Sequence, residues 1–486
     1  MKIIKYLSLA LILVIGVSQC KLPDNIDPKH PTEVPYYTLF TNALVGMVNQ
    51  TEETSVNLNI QRLTCQYWQE TTYFDESRYL YQDRKIPDGF TREYYRDALM
   101  DFQEAKNMLM DENYGGDPDE AKNMIAIIDI CEVYSYQVLV DAFGNVPYTE
   151  ALMGFENSAP VYDDAAAIYN DLLARLRNDL VSLNADYGSF GTADVMYNGD
   201  VASWKRFAAS LLLRVGMRLS DVDAGKAGVA AKDAESAGLF TDQSQSGFVY
   251  YPGVVPHINR IWEGFRAGRK DFLPTNTIVD MMLAKEDGRI GKYFTMVDTS
   301  SNAEVEKFVY LGAVAGLDGA QSYNNFSNFQ ARFFDPAFEA NMIDYVEVEF
   351  LLAEAAQRGF GVSGSAADHY NAAIEASFAY WEAEGVAEYL TQNPYDAANW
   401  KQSIGEQKWL ALYNRGVEGL TEWKRLDYPQ LNVPEGMVYG DIPLRMPYPY
   451  NEVQQNKNNY EAASAAIGGD ETSTPIFWDV VPSPFK

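Results

Sequence analysis

Apolar residues three and four positions apart recur along most of this 486-residue chain, and that spacing constrains its fold more than any other feature. In the segment 92–110 the spacing gives one apolar stripe with charged residues opposite, the pattern of an amphipathic helix. A second helix is expected over 119–143, because Pro118 suits a first helical turn and Gly144 suits a helix end. Further helices are expected over 163–183, 202–219, 224–237, 275–283, 344–358, 365–383 and 400–414.

Strand-like alternation is scarce, and its best examples are the short segments 248–251 and 307–310. Segments 346–360 and 366–380 are joined by a glycine-bounded turn and carry alanines that allow close contact, which is the logic of a tetratricopeptide helix pair. Four long stretches lack both periods and are rich in aromatic residues, Asn and Gly, namely 67–90, 184–200, 244–274 and 299–336. Loops of that length in a folded domain are commonly functional. We therefore predict an all-α fold with a loop-rich face and minor β-structure.

The N-terminus has the pattern of a secretory signal. Lys2 and Lys5 precede an apolar run over 6–17 that is shorter than a transmembrane helix requires. The run ends at Val17-Ser18-Gln19-Cys20, which resembles a bacterial lipobox except that Gln19 replaces the usual small residue. We predict a signal peptide over 1–19, a lipidated Cys20 that begins a proline-punctuated tether over 20–36, and one helical domain over 37–486. Ordinary secretion with an unmodified Cys20 is the alternative.

Charge excludes one large class of partner. There are 38 Lys and Arg against 68 Asp and Glu, so the net charge is -30, and removal of Lys2 and Lys5 with the signal leaves 36 against 68, or -32. A chain this acidic repels phosphate backbones, so nucleic acid is not expected as a partner. Beyond Cys20 there are two cysteines, Cys65 and Cys131, which the sequence leaves open as buried thiols or as a disulfide.

Several segments together resemble one family. Residues 143–152 read FGNVPYTEAL after a long helix, and 286–294 read EDGRIGKYF, with Gly288 in place of the family's proline. Residues 414–418 read NRGVE and 445–449 read RMPYP, in the expected order along the chain. With the lipobox, they resemble the SusD/RagB family of Bacteroidetes outer-membrane lipoproteins.

The resemblance implies a SusD-like fold with several tetratricopeptide-like helix pairs below a loop-rich face. It also implies a protein lipid-anchored at Cys20 in the outer membrane, on the cell surface, that captures oligosaccharides and passes them to a SusC-type TonB-dependent transporter. Peptide-binding or adhesin-like members of the same fold are the alternative function, and a surface glycoside hydrolase is a further one.

Sugar recognition needs aromatic rings beside fixed hydrogen-bonding side chains. Three loop clusters provide both, over 67–81, 259–271 and 321–329. The ligand-binding residues that we predict from them are Trp68, Tyr73, Arg78, Trp262, Arg266, Tyr323 and Asn325. The alternative for each is a place in the core, where aromatic residues next to helices and the arginines among them commonly pack.

No catalytic motif accompanies these clusters. The chain has three histidines and none of the zinc-protease, nucleophile-elbow, dinucleotide-binding or Walker A spacings, so neither catalysis nor a cofactor is expected. The oxygen-rich loop 111–119 faintly resembles a calcium loop, but Lys122 stands where the bidentate Glu would be needed. We predict a solvated turn with a helix cap there, and no metal site. Paired glycosidase carboxylates cannot be recognised among 68 acidic residues, so a hydrolase stays open at this point.

Overall fold

The computed structural model describes residues 34–81, 83–299, 307–434, 436–437 and 442–480. The predicted signal peptide, Cys20 and all but the last residues of the predicted tether lie outside these ranges. The description begins just before the first helix, at Tyr36.

Helices dominate the described chain, as the apolar spacing predicts. Segment 92–110 is helical but belongs to a longer unit, in which two α-helices are joined by a π-helical turn at Tyr95–Leu99. The helices are α1 Tyr36–Glu52, α2 Gln61–Thr64, α3 Ile86–Tyr94, α4 Met100–Met110, α5 Pro118–Phe143, α6 Ala165–Ser182, α7 Val201–Arg218, α8 Ala224–Ala237, α9 Arg260–Phe265, α10 Asn276–Ala284, α11 Ile290–Tyr293, α12 Tyr345–Gln357, α13 Ala366–Tyr380, α14 Val386–Gln392, α15 Trp400–Ala411, α16 Gly416–Leu426, α17 Tyr450–Gln455 and α18 Lys457–Ala466.

The strands are short and pair only in twos. Both predicted strand segments contain one, since 248–251 overlaps β4 and 307–310 contains β7. The antiparallel pairs are β1 Trp68–Glu70 with β5 Phe272–Pro274, β2 Val146–Pro147 with β3 Tyr162–Asp163, β4 Gly247–Val249 with β8 Ala340–Ile343, and β6 Val297–Asp298 with β7 Phe308–Val309. The fold is therefore all-α with minor β-structure.

Helix α5 lies at the centre of the core. The Asp117 side chain accepts hydrogen bonds from the amides of Asp119 and Glu120 at its start, and Gly144 ends it with a φ of 83°. Within the described residues, α5 is the one helix long and apolar enough to span a bilayer, but 89% of its apolar window is buried inside the protein. Its apolar faces are used in packing against other helices.

Consecutive helices pack in pairs, among them α5 with α6, α7 with α8, and α12 with α13. The second pair shows how close the contact is, because a Cβ added at Gly216 would lie 2.4 Å from the Ala230 Cβ. Only glycine fits there without separating the helices. The pair α12–α13 is the tetratricopeptide-like unit that the sequence predicts over 346–380.

Buried ion pairs join α7, α12 and α16. Arg214 donates to Glu347 at 2.6 Å and Arg218 donates to Glu418 at 2.6 Å, with every one of these side chains nearly inaccessible. Arg415, just before α16, bonds Asp344 and Glu347. Several helix pairs are therefore locked by charge as well as by apolar contact.

Cys65 and Cys131 are free, buried thiols, which decides the question that the sequence leaves open. Burial raises the pKa of both thiols. They pack as small apolar side chains.

Candidate ligand-binding site

The three predicted loop clusters meet on one face, and main-chain hydrogen bonds join them. Strands β1 and β5 pair with Glu70 opposite Phe272, which brings the first cluster beside the second. The Thr71 amide then donates to the Asp271 carbonyl at 2.8 Å, and the Gln321 amide of the third cluster donates to the Thr71 carbonyl at 3.0 Å. Segments far apart in sequence therefore form one loop platform.

A cleft of about 560 Å³ opens beside this platform. One wall is the segment 53–57, directly after α1, and another is formed by 70–73 with Arg84. The third wall comes from α9 and from the segment that enters β5, including Arg269. The volume lies in the range of clefts that bind small molecules. We call it the platform cleft.

Tyr73 is the exposed ring of the platform cleft. Its side chain is 77% exposed, and its backbone has a φ of 57°, which non-glycine residues rarely adopt. Tyr79 and Lys85 in the same segment have φ values of 69° and 51°. Left-handed non-glycine residues are costly and concentrate at functional sites. The segment around Tyr73 therefore has three residues in a costly backbone conformation.

Trp68 is a core residue in the structure. Its side chain is 3% exposed, and its ring packs against Phe265, Phe272 and Phe329 with centroids 5.0–5.7 Å apart. A ring enclosed in this way offers no face to a ligand. The sequence allows Trp68 to be either a ligand contact or a core residue. The structure shows that it is a core residue, which supports the platform from beneath.

The other predicted residues surround the platform cleft without lining it. Trp262 is half-buried on α9, and Arg266 is exposed beyond that helix, 3.3 Å from Glu263. The Lys270 ammonium lies 5.0 Å from the centre of the Tyr323 ring. Asn325 is exposed in the same short helical turn as Tyr323.

Arg78 holds loops together. Its guanidinium bonds Asp75 at 2.5 Å and Asp318 at 2.9 Å, and its side chain is mostly buried. It therefore connects the first cluster to the segment before the third. Of the seven predicted residues, Tyr73 alone lines the platform cleft.

Arginines line the platform cleft, and each is bound to a carboxylate. Arg84 bonds Glu76, and Arg260 bonds Glu263. Arg269 lies 2.5 Å from Asp271. These cations orient the walls, and their charges are already neutralised in the free protein.

Glu70 and Glu76 form a buried carboxyl pair next to Tyr73. Glu70 is 3% exposed and Glu76 is 1% exposed. Glu70 Oε2 accepts hydrogen bonds from the amide and the hydroxyl of Ser77, at 3.0 and 3.1 Å. Burial, and then the neighbouring Glu76, raise the pKa of Glu70 to about 9. Its surroundings therefore favour the neutral, protonated form of Glu70.

Sequence reasoning missed two parts of this site. The wall 53–57 escaped notice because α1 was not predicted and its end therefore had no significance. Arg84 and Glu70 were passed over because a charged residue in an irregular segment resembles any surface charge, whereas Arg260 was within the second predicted cluster but was not selected from it. No sequence signal marks Glu70 as buried, whereas Asn259, just before α9, lies within the second predicted cluster.

Among the residues that the structure describes, no group of three or more His, Cys, Asp or Glu side chains is placed to hold a metal ion. In the loop 111–119, Asp111 accepts a hydrogen bond from the Asn113 amide at 2.7 Å, and Asp117 caps α5. Turn formation and helix capping account for these oxygens.

Known proteins share this architecture. A family model described as starch-binding and associating with the outer membrane matches residues 28–449. A chitin-binding protein of known structure has a TM-score of 0.80 and 26% identity, covering 92% of this chain and 100% of its own. A chitin-binding SusD homologue from Flavobacterium johnsoniae has a TM-score of 0.78 and 22% identity, covering 91% and 99%. A SusD homologue from Bacteroides uniformis has a TM-score of 0.77 and 22% identity, covering 92% and 100%.

No curated protein gives a significant match. The family match nevertheless covers most of the chain, and its members are binding proteins of the outer membrane and cell surface, not enzymes. The helix pairs and the loop platform agree with that fold. This chain belongs to the SusD-like family.

Proposed function

We propose that this protein is a cell-surface lipoprotein that captures oligosaccharides in the platform cleft and delivers them to a SusC-type TonB-dependent transporter. The observation that carries the proposal is a cleft walled by residues of the first two loop clusters, with the exposed, strained Tyr73 in its lining. Tyrosine offers a sugar both an apolar face and a hydroxyl. The surrounding Asn, Thr and Arg side chains supply hydrogen bonds of fixed direction.

Chitin oligosaccharides are the first ligands to test. Two of the structural relatives are named as chitin-binding, at 26% and 22% identity. N-acetylglucosamine rings combine flat C–H faces with amide groups, which suit an aromatic residue beside polar side chains. Starch oligosaccharides are the comparison set, because the family model carries that description.

The decisive experiment is calorimetric titration of the chain lacking residues 1–20 with chitin and starch oligosaccharides. We expect binding of one of the two classes, weakened about tenfold by Tyr73→Ala, since one aromatic contact contributes about 0.5–1.5 kcal/mol. Phe155→Ala is the matched control, because Phe155 is a fully exposed ring that does not line the platform cleft. Equal loss of affinity in both variants, or no binding of any glycan, would contradict the proposal.

Trp262→Ala and Tyr323→Ala test how far the ligand extends beyond the platform cleft. Each should weaken glycan binding and leave the melting temperature unchanged if a longer chain runs along the platform. Unchanged affinity with a lowered melting temperature would assign both rings to the core.

Delivery to a transporter has its own test. We expect the full-length, lipidated protein to co-purify from outer membranes with a TonB-dependent barrel. Recovery of the protein without any barrel, under conditions that preserve other membrane complexes, would argue for the adhesin-like alternative.

A further inference from the structure

We propose that the platform cleft prefers oligosaccharides that carry a free ammonium group, that is, partly de-N-acetylated amino sugars, over their fully acetylated counterparts. This inference rests on the proposed function, because it names the chemical class of the ligand for the same site.

Charged side chains of both signs line the platform cleft. The lining carboxyls are Glu53, Glu70, Glu263 and Asp271, and the lining cations are Arg84, Arg260 and Arg269. The cations are each bound to a carboxylate. One of those carboxylates, Glu76, lies outside the lining set, so the four lining carboxyl groups outnumber the three lining cations by one.

Glu70 is the carboxyl left without a cation. Among the residues that the structure describes, no Lys, Arg or His nitrogen lies within 4 Å of it, and its hydrogen bonds come from Ser77. Its neighbour Glu76 accepts a hydrogen bond from Arg84 through Oε1, and the two carboxyl groups also share a side-chain hydrogen bond. Two adjacent carboxyls therefore share one arginine.

A buried carboxyl pair with one cation needs a second positive charge. In the free protein a proton supplies it, since burial and the adjacent carboxyl both favour the neutral form of Glu70. A ligand ammonium can take the place of that proton, because it brings one positive charge and three hydrogen-bond donors. An acetamido group brings neither, so the acetylated sugar leaves the pair as it is.

The exchange is balanced. Glu70 carboxylic acid and the ligand ammonium combine to give a Glu70 carboxylate paired with that ammonium, and one proton is released to solvent. No bond other than the carboxyl O–H breaks, and no redox step occurs. The net charge of the protein, -30, also attracts cationic ligands over the distance that salt permits.

Proton release gives the inference a specific signature. Amino-sugar binding coupled to the loss of one proton strengthens about tenfold for each pH unit of increase while the ligand remains protonated. Binding of the N-acetylated oligomer of equal length should not change over the same interval. We would titrate both oligomers between about pH 5 and about pH 6, where the sugar amine is protonated, in buffers of different ionisation enthalpy, so that released protons are counted directly.

Glu70→Gln tests the assignment to this residue. The amide keeps the size of the side chain and an oxygen that can accept from Ser77, but it has no proton to exchange. We expect the variant to lose both the proton release and the preference for the amine over the acetylated oligomer. Glu156→Gln is the control, since it makes the same chemical substitution at an exposed residue away from the cleft.

The outcomes separate the two proposals. Tight binding of the acetylated oligomer, with no preference for the amine and no proton release, would overturn this inference and leave the proposed function standing. Failure of both oligomers to bind the wild-type protein would overturn both. A lysine peptide that binds with proton release sensitive to Glu70→Gln, while the amino sugar does not, would assign the same pair to peptide recognition and overturn the inference. The wild-type measurements decide the matter even if Glu70→Gln does not fold.

Discussion

At the scale of single residues, Trp68 and Tyr73 show why the same side-chain chemistry has two roles within one loop. Both are aromatic and five positions apart, yet Trp68 is enclosed by three phenylalanines and Tyr73 faces solvent. We expect Trp68→Ala to lower the free energy of unfolding by about 3–5 kcal/mol, the usual cost of emptying a buried aromatic site. Tyr73→Ala should leave it unchanged. Urea denaturation of the two variants checks this, and equal stability would contradict the burial of Trp68.

The sequence predicted where rings would gather but not which of them would be exposed. Aromatic residues and Asn beside helices mark a platform by composition alone. Exposure depends on partners such as Phe265 and Phe329, which lie about 200 residues or more from Trp68 in sequence and reach it only through the fold. The burial of Glu70 is hidden for the same reason, since its surroundings are set by how a loop folds back on itself.

At the scale of helices, the contact of α7 with α8 depends on one missing side chain. A Cβ at Gly216 would meet that of Ala230 at 2.4 Å, so Gly216→Leu must separate the two helices. We expect destabilisation of about 1–3 kcal/mol or more, as in other overpacked cores. Gly225→Ala is the control, because its Cβ would meet only the Asp223 side chain at 3.5 Å. Comparison of their melting temperatures checks the prediction, and a Gly216→Leu protein as stable as Gly225→Ala would contradict it.

Helix prediction succeeded where one face is apolar and failed where charges are buried. Helices α5, α6, α7 and α8 lie within one or two residues of the expected ranges. Helix α16 carries Glu418, Glu422 and Arg425 in the core, so its charged residues do not mark a solvent face. Apolar periodicity assumes that charge means exposure, and the buried ion pairs break that assumption.

At the scale of the whole molecule, the buried ion pairs predict how stability depends on pH. Burial alone would raise the pKa of Glu347, but Arg214 and Arg415 outweigh it and hold the pKa below 4.5; the pKa of Glu354 is lowered in the same way by Arg425. Stability from such carboxylates is present above about pH 4.5 and is lost as the pH falls further.

Other buried carboxyl groups have raised pKa values, and they determine how stability changes as the pH rises. Burial raises the pKa of Glu52 to about 7 and that of Asp179 to about 9, so their contribution is full below the unfolded value and is lost as the pH rises through these values. We therefore expect the melting temperature to be highest near about pH 5 and to fall on both sides. Calorimetry across this interval is the measurement, and a melting temperature that is constant down to about pH 3 would contradict it.

Membrane attachment is also a property of the whole chain, and we predict that it depends on Cys20. Cys20→Ser should move the protein from the membrane fraction to the soluble fraction and abolish incorporation of labelled fatty acid, because the acyl chains supply the anchoring energy. Gln19→Gly should retain attachment, since it restores the small residue usual in lipoprotein signals. A Cys20→Ser protein that stays in the membrane fraction would mean that another contact holds it there.

Some of the bonds that join the three loop clusters run through backbone atoms at Thr71, Asp271 and Gln321. Backbone atoms are the same whatever side chains the neighbouring positions carry. Aromatic and amide side chains on this face can therefore be exchanged during divergence while the backbone scaffold beneath them keeps its shape. Related proteins can in this way bind different ligands on the same scaffold.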